Sequence, residues 1–553
     1  MQTVRRIYVY FMSAVSLVAL GVGVANLLRL AFDQAGIALG ISANLAGPDG
    51  VRQEVSLYVA VAIVALPIWL VHWWLAERAV LRPGADGEAE RGSWPRALYL
   101  SVALGASLTL AVTAAAELIY RGVVQAAGYP LFGAATVSSW LAMLIVAGAA
   151  WGYHGRVRLR DTRAGELAGS AAWLPRLYLY GAAGAGAMLL LFGAGDLLRL
   201  GVDALLGPGA LIAPTPWWAE PLATGASRVV VGLAVWAAHW GYAQRLLEAP
   251  DWRARSEQSA RIRRLYLYAG AVVGLALTLR GGADTLAALL RAALGVSSTV
   301  GAAGVARSAL VPLLTAVPFA LFGLYQLWSA ADEARRYGTD AVRATVRRLS
   351  TYVVALVGLA FAGVGLAYTL GVLIDLAFGG SRTLSSGPDW WRGQVSQFGS
   401  VALVGAVAWL WGWYAAQRAL AAEPEAEQSS TTRRAYLYTV LAASLVAILS
   451  SLAFVLYRVL TVVLNAAPST GLTSDVSASL GVVLVAGALA IYHGLALRRD
   501  LAVRPAFAGE GAAEPNELTL VMTGPPDADL DAELADLLRH LPAGFSLRRR
   551  ALP

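Results

Sequence analysis

Long apolar segments recur along this chain, and each pair of them is entered through a short motif of arginine and tyrosine. The clearest copy is RRLYLYAG at residues 263–270, and related stretches begin at Arg5, Arg96, Arg176, Arg347 and Arg433. About 20 apolar residues are enough to cross roughly 30 Å of hydrocarbon as a helix. Runs of that length follow every motif, and a second run follows each of the first. The pattern therefore predicts an all-α integral membrane protein with about twelve transmembrane helices.

Composition supports a membrane protein, because 58% of the residues are hydrophobic, only 14% are charged and the mean hydropathy is +0.60. An ordinary soluble domain is far less apolar. The first helix of each pair is predicted at 8–29, 98–120, 178–199, 266–291, 350–376 and 436–462. The second helix is predicted at 56–76, 137–154, 227–243, 309–328, 399–416 and 477–496.

The distribution of arginine predicts the orientation. The chain has no lysine, so its 43 basic residues are all arginines, and they concentrate in segments such as 253–264 and 335–348 that join one helix pair to the next. The positive-inside rule places those segments and both termini in the cytoplasm. The formal charge of +8 then reflects topology and an attraction to the anionic headgroups of the lipid bilayer. Because the basic runs follow helix ends, no nucleic-acid partner is predicted.

The entrance motif is typical of an interfacial anchor. Arginine at the cytoplasmic boundary is expected to face lipid phosphates, and tyrosine one turn deeper keeps its ring in the apolar layer and its hydroxyl near water. A functional tyrosine site is the alternative.

The motifs also show a longer period. Arg176 follows Arg6 by 170 residues and Arg348 follows Arg176 by 172, while Arg96, Arg264 and Arg434 are 168 and 170 residues apart. The repeating unit is therefore four helices, with membrane units at 1–170, 171–342 and 343–500. Residues 501–517 are interpreted as a linker. Residues 518–553 are predicted to form a small cytoplasmic β-α-β fragment, because a short apolar strand, a helix with an acidic start and a last strand follow in order.

These motifs resemble a family of uncharacterised bacterial multi-pass membrane proteins, a domain of unknown function. Its members pair an Arg-x-Tyr helix entrance with a later Trp-x-x-His-Trp helix. Here the pattern is carried by Arg6, Tyr8, Trp69, His72 and Trp73, and by Arg176, Tyr178, Trp236, His239 and Trp240. The third unit has Gly412 in place of the histidine. The resemblance implies a membrane domain in three tandem copies, and it implies no activity, substrate or catalytic residue.

Histidine is the first candidate for chemistry, since four of the five histidines lie near the cytoplasmic ends of second helices: His72, His154, His239 and His493. Gln326 and Gly412 fill the corresponding places elsewhere, which argues against a repeated haem or metal site. Interfacial hydrogen bonding is the favoured interpretation, with a proton-linked role as the alternative. The absence of cysteine excludes thiolate ligands and disulfides, and no cofactor or metal is predicted.

Charged residues near the outer ends of the helices are the second candidate, because charge inside a bilayer is costly and often functional. Possible pairs are Glu117 with Arg121, Asp196 with Arg199, and Asp284 with Arg280. Spacings of three or four residues would let each pair form on one helix face. Structural ion pairs and an outward-facing substrate or ion site both remain open.

Function is predicted only in outline. The sequence has no GxxxxGK[ST] motif and no recognisable catalytic constellation, so no enzyme is predicted. Exposed tryptophan pairs at 217–218 and 390–391, together with the C-terminal fragment, are candidate sites for protein partners. The prediction is a scaffold or accessory subunit of a membrane assembly. The alternative is a transporter or channel for a small solute or ion.

Overall fold

The computed structural model describes residues 2–39, 47–128, 134–165, 170–207, 216–296, 301–378, 389–464 and 471–502. The predicted β-α-β fragment lies outside the described residues and stays a prediction, as does most of the predicted linker. Within the described residues the chain is helical and has no strand.

Twelve long helices run through the described part of the chain, with a short helix between the second and third long helix of each repeat. In the first repeat they are α1 (Gln2–Ala38), α2 (Gly47–Val80), the short α3 (Ala85–Arg91), α4 (Trp94–Ala126) and α5 (Ala134–Arg163). The second repeat comprises α6 (Ser170–Leu206), α7 (Ala219–Leu247), the short α8 (Trp252–Gln258), α9 (Arg261–Ala293) and α10 (Ala302–Tyr337). The third comprises α11 (Asp340–Phe378), α12 (Trp390–Ala422), the short α13 (Pro424–Gln428), α14 (Thr431–Val463) and α15 (Leu472–Ala502).

Every predicted span lies within one long helix, and over the residues that the structure describes eleven of these helices are long and apolar enough to cross a membrane. These eleven are 29 to 39 residues long. At 1.5 Å per residue they measure about 45–60 Å, so their ends extend beyond the hydrocarbon layer. Large apolar side chains also point away from the protein, as with Leu445, Val446 and Leu449 of α14, which are 65%, 65% and 69% exposed. Such a surface is stable in lipid and unfavourable in water.

The helix that is not among the eleven is α5. It covers the predicted span 137–154, but its second half carries four arginines, Arg156, Arg158, Arg160 and Arg163. The described part of α5 is consequently less apolar than the other long helices.

The long helices of a repeat pack as antiparallel neighbours. The first contacts the second, the third contacts the fourth, and the first also contacts the fourth, as seen for α1 with α2 and α5 and for α6 with α7 and α10. Successive repeats meet through the third helix of one and the first two helices of the next. Thus α4 contacts α6 and α7, and α9 contacts α11 and α12.

Glycine sets the closest helix contacts. A Cβ atom added to Gly232 of α7 would lie 2.4 Å from the backbone nitrogen of Leu190, and one added to Gly365 of α11 would lie 2.2 Å from that of Ala402. No side chain fits at these positions without moving a backbone. Without a hydrophobic drive between helices in lipid, such close backbone packing is a main source of association.

Candidate functional site

Each repeat buries one arginine at the beginning of its third long helix. Arg96 on α4, Arg263 on α9 and Arg433 on α14 are each 1% exposed. Each is the third residue of its helix, where unpaired backbone N–H groups leave partial positive charge. A guanidinium buried at that point is stable only if other helices supply acceptors.

In the first repeat, helix ends from three other helices supply those acceptors. The Nε atom of Arg96 donates to Asp161 at the end of α5 at 2.7 Å, and its Nη2 atom donates to Glu77 near the end of α2 at 2.8 Å. Its Nη1 atom donates to the hydroxyl of Tyr10 on α1 at 3.2 Å. The guanidinium therefore joins all four long helices of the repeat at one level.

The second and third repeats supply the corresponding carboxylate from their fourth helix. Arg263 donates to both oxygens of Glu333, with distances of 2.9 and 2.6 Å from Nε and Nη2. Arg433 donates from Nε to Asp500 at 2.6 Å. Charge-assisted hydrogen bonds of this length are about twice as strong as neutral ones.

A tyrosine of the first helix and a glutamate of the short helix complete each arrangement. Tyr10 accepts from Arg96 and donates to Glu90 at 3.1 Å, and Glu90 also accepts from Arg6 at 2.8 Å. The same contacts recur for Arg176, Tyr180, Glu257 and Arg263, and for Arg348, Tyr352, Glu427 and Arg433. We call each set, with its fourth-helix carboxylate, the buried arginine network of its repeat.

A tryptophan of the second helix lies against each buried guanidinium. The Cζ atoms lie 5.7 Å from the ring centre of Trp73, 4.9 Å from that of Trp240 and 5.6 Å from that of Trp413. These are cation–π distances. Each indole N–H in turn donates to a tyrosine hydroxyl on the fourth helix, that of Tyr153, Tyr325 or Tyr492.

The networks correct two expectations from the sequence. The prediction that the entrance arginines face lipid phosphates is wrong for Arg96, Arg263 and Arg433, because carboxylates inside the protein bind them. The register of the second series was also wrong by one residue. Arg263 and Arg433 occupy the position of Arg96, whereas Arg264 and Arg434 are exposed.

Three of the predicted histidines bond to tyrosine hydroxyls. The Nε2 atoms of His154 and His493, both buried, lie 3.0 and 3.3 Å from the hydroxyls of Tyr99 and Tyr436. The Nε2 atom of His239 lies 2.9 Å from the Tyr178 hydroxyl.

The remaining histidine, His72, packs edge-on against Tyr8, with 5.6 Å between ring centres. In all four histidines Nδ1 lies 2.8–2.9 Å from the backbone carbonyl four residues earlier. A carbonyl only accepts, so Nδ1 carries the proton in each ring. In His154, His239 and His493 the free pair of Nε2 then accepts the tyrosine hydroxyl, and both ring nitrogens are used within the protein.

The outer charged residues pair in two of the three predicted combinations. Arg121 lies 3.4 Å from Glu117, and Arg280 lies 2.6 Å from Asp284. The third combination is wrong. Asp196 pairs with Arg228 of the facing helix α7 at 2.6 Å, and Arg199 lies 3.9 Å from Asp203 instead.

The residues that sequence analysis missed are the carboxylates of the networks. Glu90, Glu257 and Glu427 each precede the buried arginine by six residues. Asp161, Glu333 and Asp500 each follow His154, Gln326 or His493 by seven residues. Both spacings are constant, so aligning the three repeats on these residues would have revealed them.

Outside the spans, the short helix α8 is capped by Asp251, whose side chain accepts from the backbone N–H of Arg253 at 3.0 Å. The hydrogen bond from the Arg253 guanidinium also lowers the pKa of the Asp251 carboxyl. Among the described residues, no group of three or more histidine, aspartate or glutamate side chains is placed to hold a metal ion.

The apolar helices and their repeated ionic networks define a multi-pass helical membrane protein built from tandem repeats. The chain belongs to the family described as a domain of unknown function, DUF5671, whose model matches residues 6–149, 176–322 and 348–488. The three matches begin at Arg6, Arg176 and Arg348, the arginines that bind the short-helix glutamates. No curated protein and no solved structure matches the chain.

Proposed function

We propose that this protein spans a bacterial cytoplasmic membrane twelve times, with both termini in the cytoplasm, and serves as a scaffold or accessory subunit of a membrane assembly. The observation that carries the proposal is the closure of the buried arginine networks. Their charged groups bind one another within each repeat and hold the helices in place.

The charges within the networks balance. In the first repeat Arg6 and Arg96 meet Glu90 and Asp161, and beside the network Arg160 is matched by Glu77. In the second repeat Arg176 and Arg263 meet Glu257 and Glu333, and in the third Arg348 and Arg433 meet Glu427 and Asp500. A transport site for an ion requires charge that the substrate, not the protein, satisfies. Balanced networks favour a structural role for these groups.

The helix contacts between the two membrane surfaces also favour a rigid structure. Gly186 of α6 and Gly232 of α7 bring the two backbones together, since an added Cβ would lie 2.6 Å from the nitrogen of Trp236 or 2.4 Å from that of Leu190. Gly358 and Gly405 do the same for α11 and α12 in the third repeat, at 2.4 and 2.3 Å. Tightly packed helices suit a framework better than a protein that must open and close.

Two regions are proposed to hold partners. One is the exposed tryptophan before α7, where Trp218 is 40% exposed. The other is the C-terminal segment that follows α15 in the sequence. No enzymatic activity is proposed, because the polar side chains of the networks are engaged with one another.

The proposal is tested by isolating the full chain from gently solubilised membranes after cross-linking in cells. Two variants are treated in parallel: one ends after Ala502, and the other carries Trp217→Ala and Trp218→Ala. A scaffold is expected to retain a partner in constant stoichiometry, and one of the two variants is expected to lose it.

The transporter alternative makes the opposite prediction. The chain would then be isolated alone and would move a solute when reconstituted in liposomes. Loss of that transport in Asp284→Asn, with unchanged folding, would assign the outer charged residues to a substrate path and would reject the scaffold proposal.

A further inference from the structure

Two adjoining cavities lie where the first repeat meets the second. One has a volume of about 450 Å³ and is lined by residues of α4, α5, α6, α7 and α8. The other is a groove of about 970 Å³ between α4 on one side and α6 and α7 on the other. Ser101 and Tyr178 line both of them, so the two spaces are adjacent.

The smaller cavity is strongly basic. Arg158, Arg176, Arg245 and Arg253 line it, against the single carboxylate of Glu257. That carboxylate is already bound by Arg176 at 3.0 Å and by the Tyr180 hydroxyl. Arg253 is likewise paired with Asp251 at 2.8 Å. The excess positive charge of the cavity therefore comes from Arg158 and Arg245.

Two of these arginines are available to a ligand. Within the part of the chain that the structure describes, the guanidinium groups of Arg158 and Arg245 make no hydrogen bond or ion pair, although Arg158 is half-buried. Arg158 precedes Asp161 of the first buried arginine network by three residues, so it lies at the level of the helix ends. That level corresponds to lipid headgroups and phosphates.

The larger cavity is an apolar groove that continues from this basic cavity into the span. Its lining on α4 runs from Leu98 to Thr113, and its lining on α6 runs from Leu174 to Phe192. At 1.5 Å per residue these stretches measure about 22 and 27 Å, close to the thickness of the hydrocarbon layer. The groove leaves free space beside Gly181, since a Cβ atom added to this glycine would have no other atom within 4 Å.

The second junction, between the second and third repeats, lacks this chemistry. The counterpart of Arg158, which precedes Asp161 by three residues, is Ala330, which precedes Glu333 by three. The counterpart of Arg253, which precedes Glu257 by four residues, is Glu423, which precedes Glu427 by four. One basic residue is thus lost and another is replaced by an acid. The basic character belongs to the first junction specifically and is not a general property of the repeat.

We propose that the first junction binds one anionic phospholipid, with its phosphate held by Arg158 and Arg245 and one acyl chain lying in the groove along α4 and α6. Any membrane lipid can place an acyl chain in an apolar groove. A preference for an anionic headgroup is therefore what distinguishes this site from ordinary contact with lipid. It is independent of the scaffold role proposed above.

The test compares lipid binding to the full chain by native mass spectrometry and by thermal stabilisation. The probes are phosphatidylglycerol, phosphatidylcholine with the same acyl chains, and glycerol phosphate, which has the headgroup charge without a chain. Phosphatidylglycerol is expected to bind and to raise the melting temperature more than the other two. An equal effect of glycerol phosphate would assign the site to a soluble phosphate and overturn the lipid proposal.

The variants locate the site. Arg158→Gln combined with Arg245→Gln is expected to weaken phosphatidylglycerol binding by roughly 25-fold, about fivefold for each arginine. Gly181→Leu fills the groove with the basic cavity intact and is also expected to weaken binding. The matched control is Arg418→Gln, because Arg418 occupies the position in the third repeat that corresponds to Arg245. This variant is expected to bind phosphatidylglycerol as the unchanged chain does.

Two results would overturn the proposal. One is equal binding of phosphatidylglycerol and phosphatidylcholine by the unchanged chain, and the other is an anionic preference that persists in the double arginine variant. Folding of each variant is checked in phosphatidylcholine alone. If the double variant does not fold, the exposed Arg245→Gln alone is used, with an expected fivefold loss.

Discussion

At the scale of single residues, the buried arginine decides how the helix ends are arranged. Arg433 lies at a helix N-terminus, away from water, where both the helix dipole and desolvation oppose a positive charge. Asp500, the Tyr352 hydroxyl and the ring of Trp413 compensate for that cost. Removing one charge leaves the other buried without its counter-ion.

The first prediction uses two adjacent arginines as test and control. We expect Arg433→Gln to lower the free energy of unfolding by about 3–5 kcal/mol, because the Asp500 charge is left buried without its partner. Arg434→Gln changes the next residue, which is exposed, and should leave the stability nearly unchanged. Thermal unfolding of the purified variants measures the difference.

A rescue variant separates charge from packing in this experiment. Arg433→Gln combined with Asp500→Asn removes both charges and should recover part of the lost stability. Equal melting temperatures for the Arg433 and Arg434 variants would show that the network does not stabilise the fold.

The second prediction concerns the outer charged residues. Asp196 and Arg228 are 36% and 44% exposed at their side chains, so their pair should contribute no more than about 1 kcal/mol. A double-mutant cycle of Asp196→Asn with Arg228→Gln should show this small coupling, and a cycle of Asp196→Asn with Arg199→Gln should show none. Coupling to Arg199 instead would contradict the pairing across α6 and α7.

Contacts within one helix were predictable from the sequence, whereas contacts between helices were not, and the reason is physical. Arg280 and Asp284 are on one helix, so their spacing of four residues was sufficient to predict the pair. Arg228 is on a different helix from Asp196 and is 32 residues away, and no periodicity within α6 points to it. Glu90 and Tyr10 also lie on different helices, α3 and α1. Their hydrogen bond therefore follows from the packing of these two helices and not from a spacing in the sequence.

At the scale of helices, the spans were predictable because their length follows from bilayer thickness. The short helices were not, since α3 has only 7 residues and contains few apolar ones. Their role depends on one buried glutamate each. Gly84, with a φ angle of 74°, makes the turn from α2 into α3 and thereby brings Glu90 back toward Arg6 and Tyr10.

The third prediction compares two glycines of α7. Gly232→Ala places a methyl group 2.4 Å from the backbone of α6, and we expect a loss of about 1–3 kcal/mol from overpacking. Gly241→Ala adds the same methyl group where nothing lies within 4 Å, so it should be neutral or slightly stabilising. Melting temperatures of the two variants, measured in the same detergent, test the close approach of α6 and α7. An equal response of both would show that the two backbones are not in contact at Gly232.

At the scale of the whole molecule, the main question is whether α5 crosses the membrane. Its second half is more charged than that of the other long helices, and its end carries Asp161, which binds Arg96 at the start of α4 at 2.7 Å. Since α4 is 33 residues long, α5 must run back along most of its length to bring these two residues together. The equivalent bonds from Arg263 to Glu333 and from Arg433 to Asp500 require the same path in the other repeats.

The last prediction tests this topology and takes advantage of the absence of cysteine from the chain. Single cysteines are introduced at exposed positions and labelled in intact cells with a membrane-impermeant maleimide. Gln125, Val296 and Asp389 should be labelled from outside, whereas Ala85, Ala164, Arg255 and Glu425 should react only after the membrane is opened. Gln125 and Ala164 flank α5, so opposite labelling of this pair demonstrates that α5 crosses. If both react from outside, α5 does not cross, and every later segment would have to be inverted. Arg255 and Glu425 would then also react from outside, in conflict with the positive-inside rule, and the twelve-span topology would be wrong.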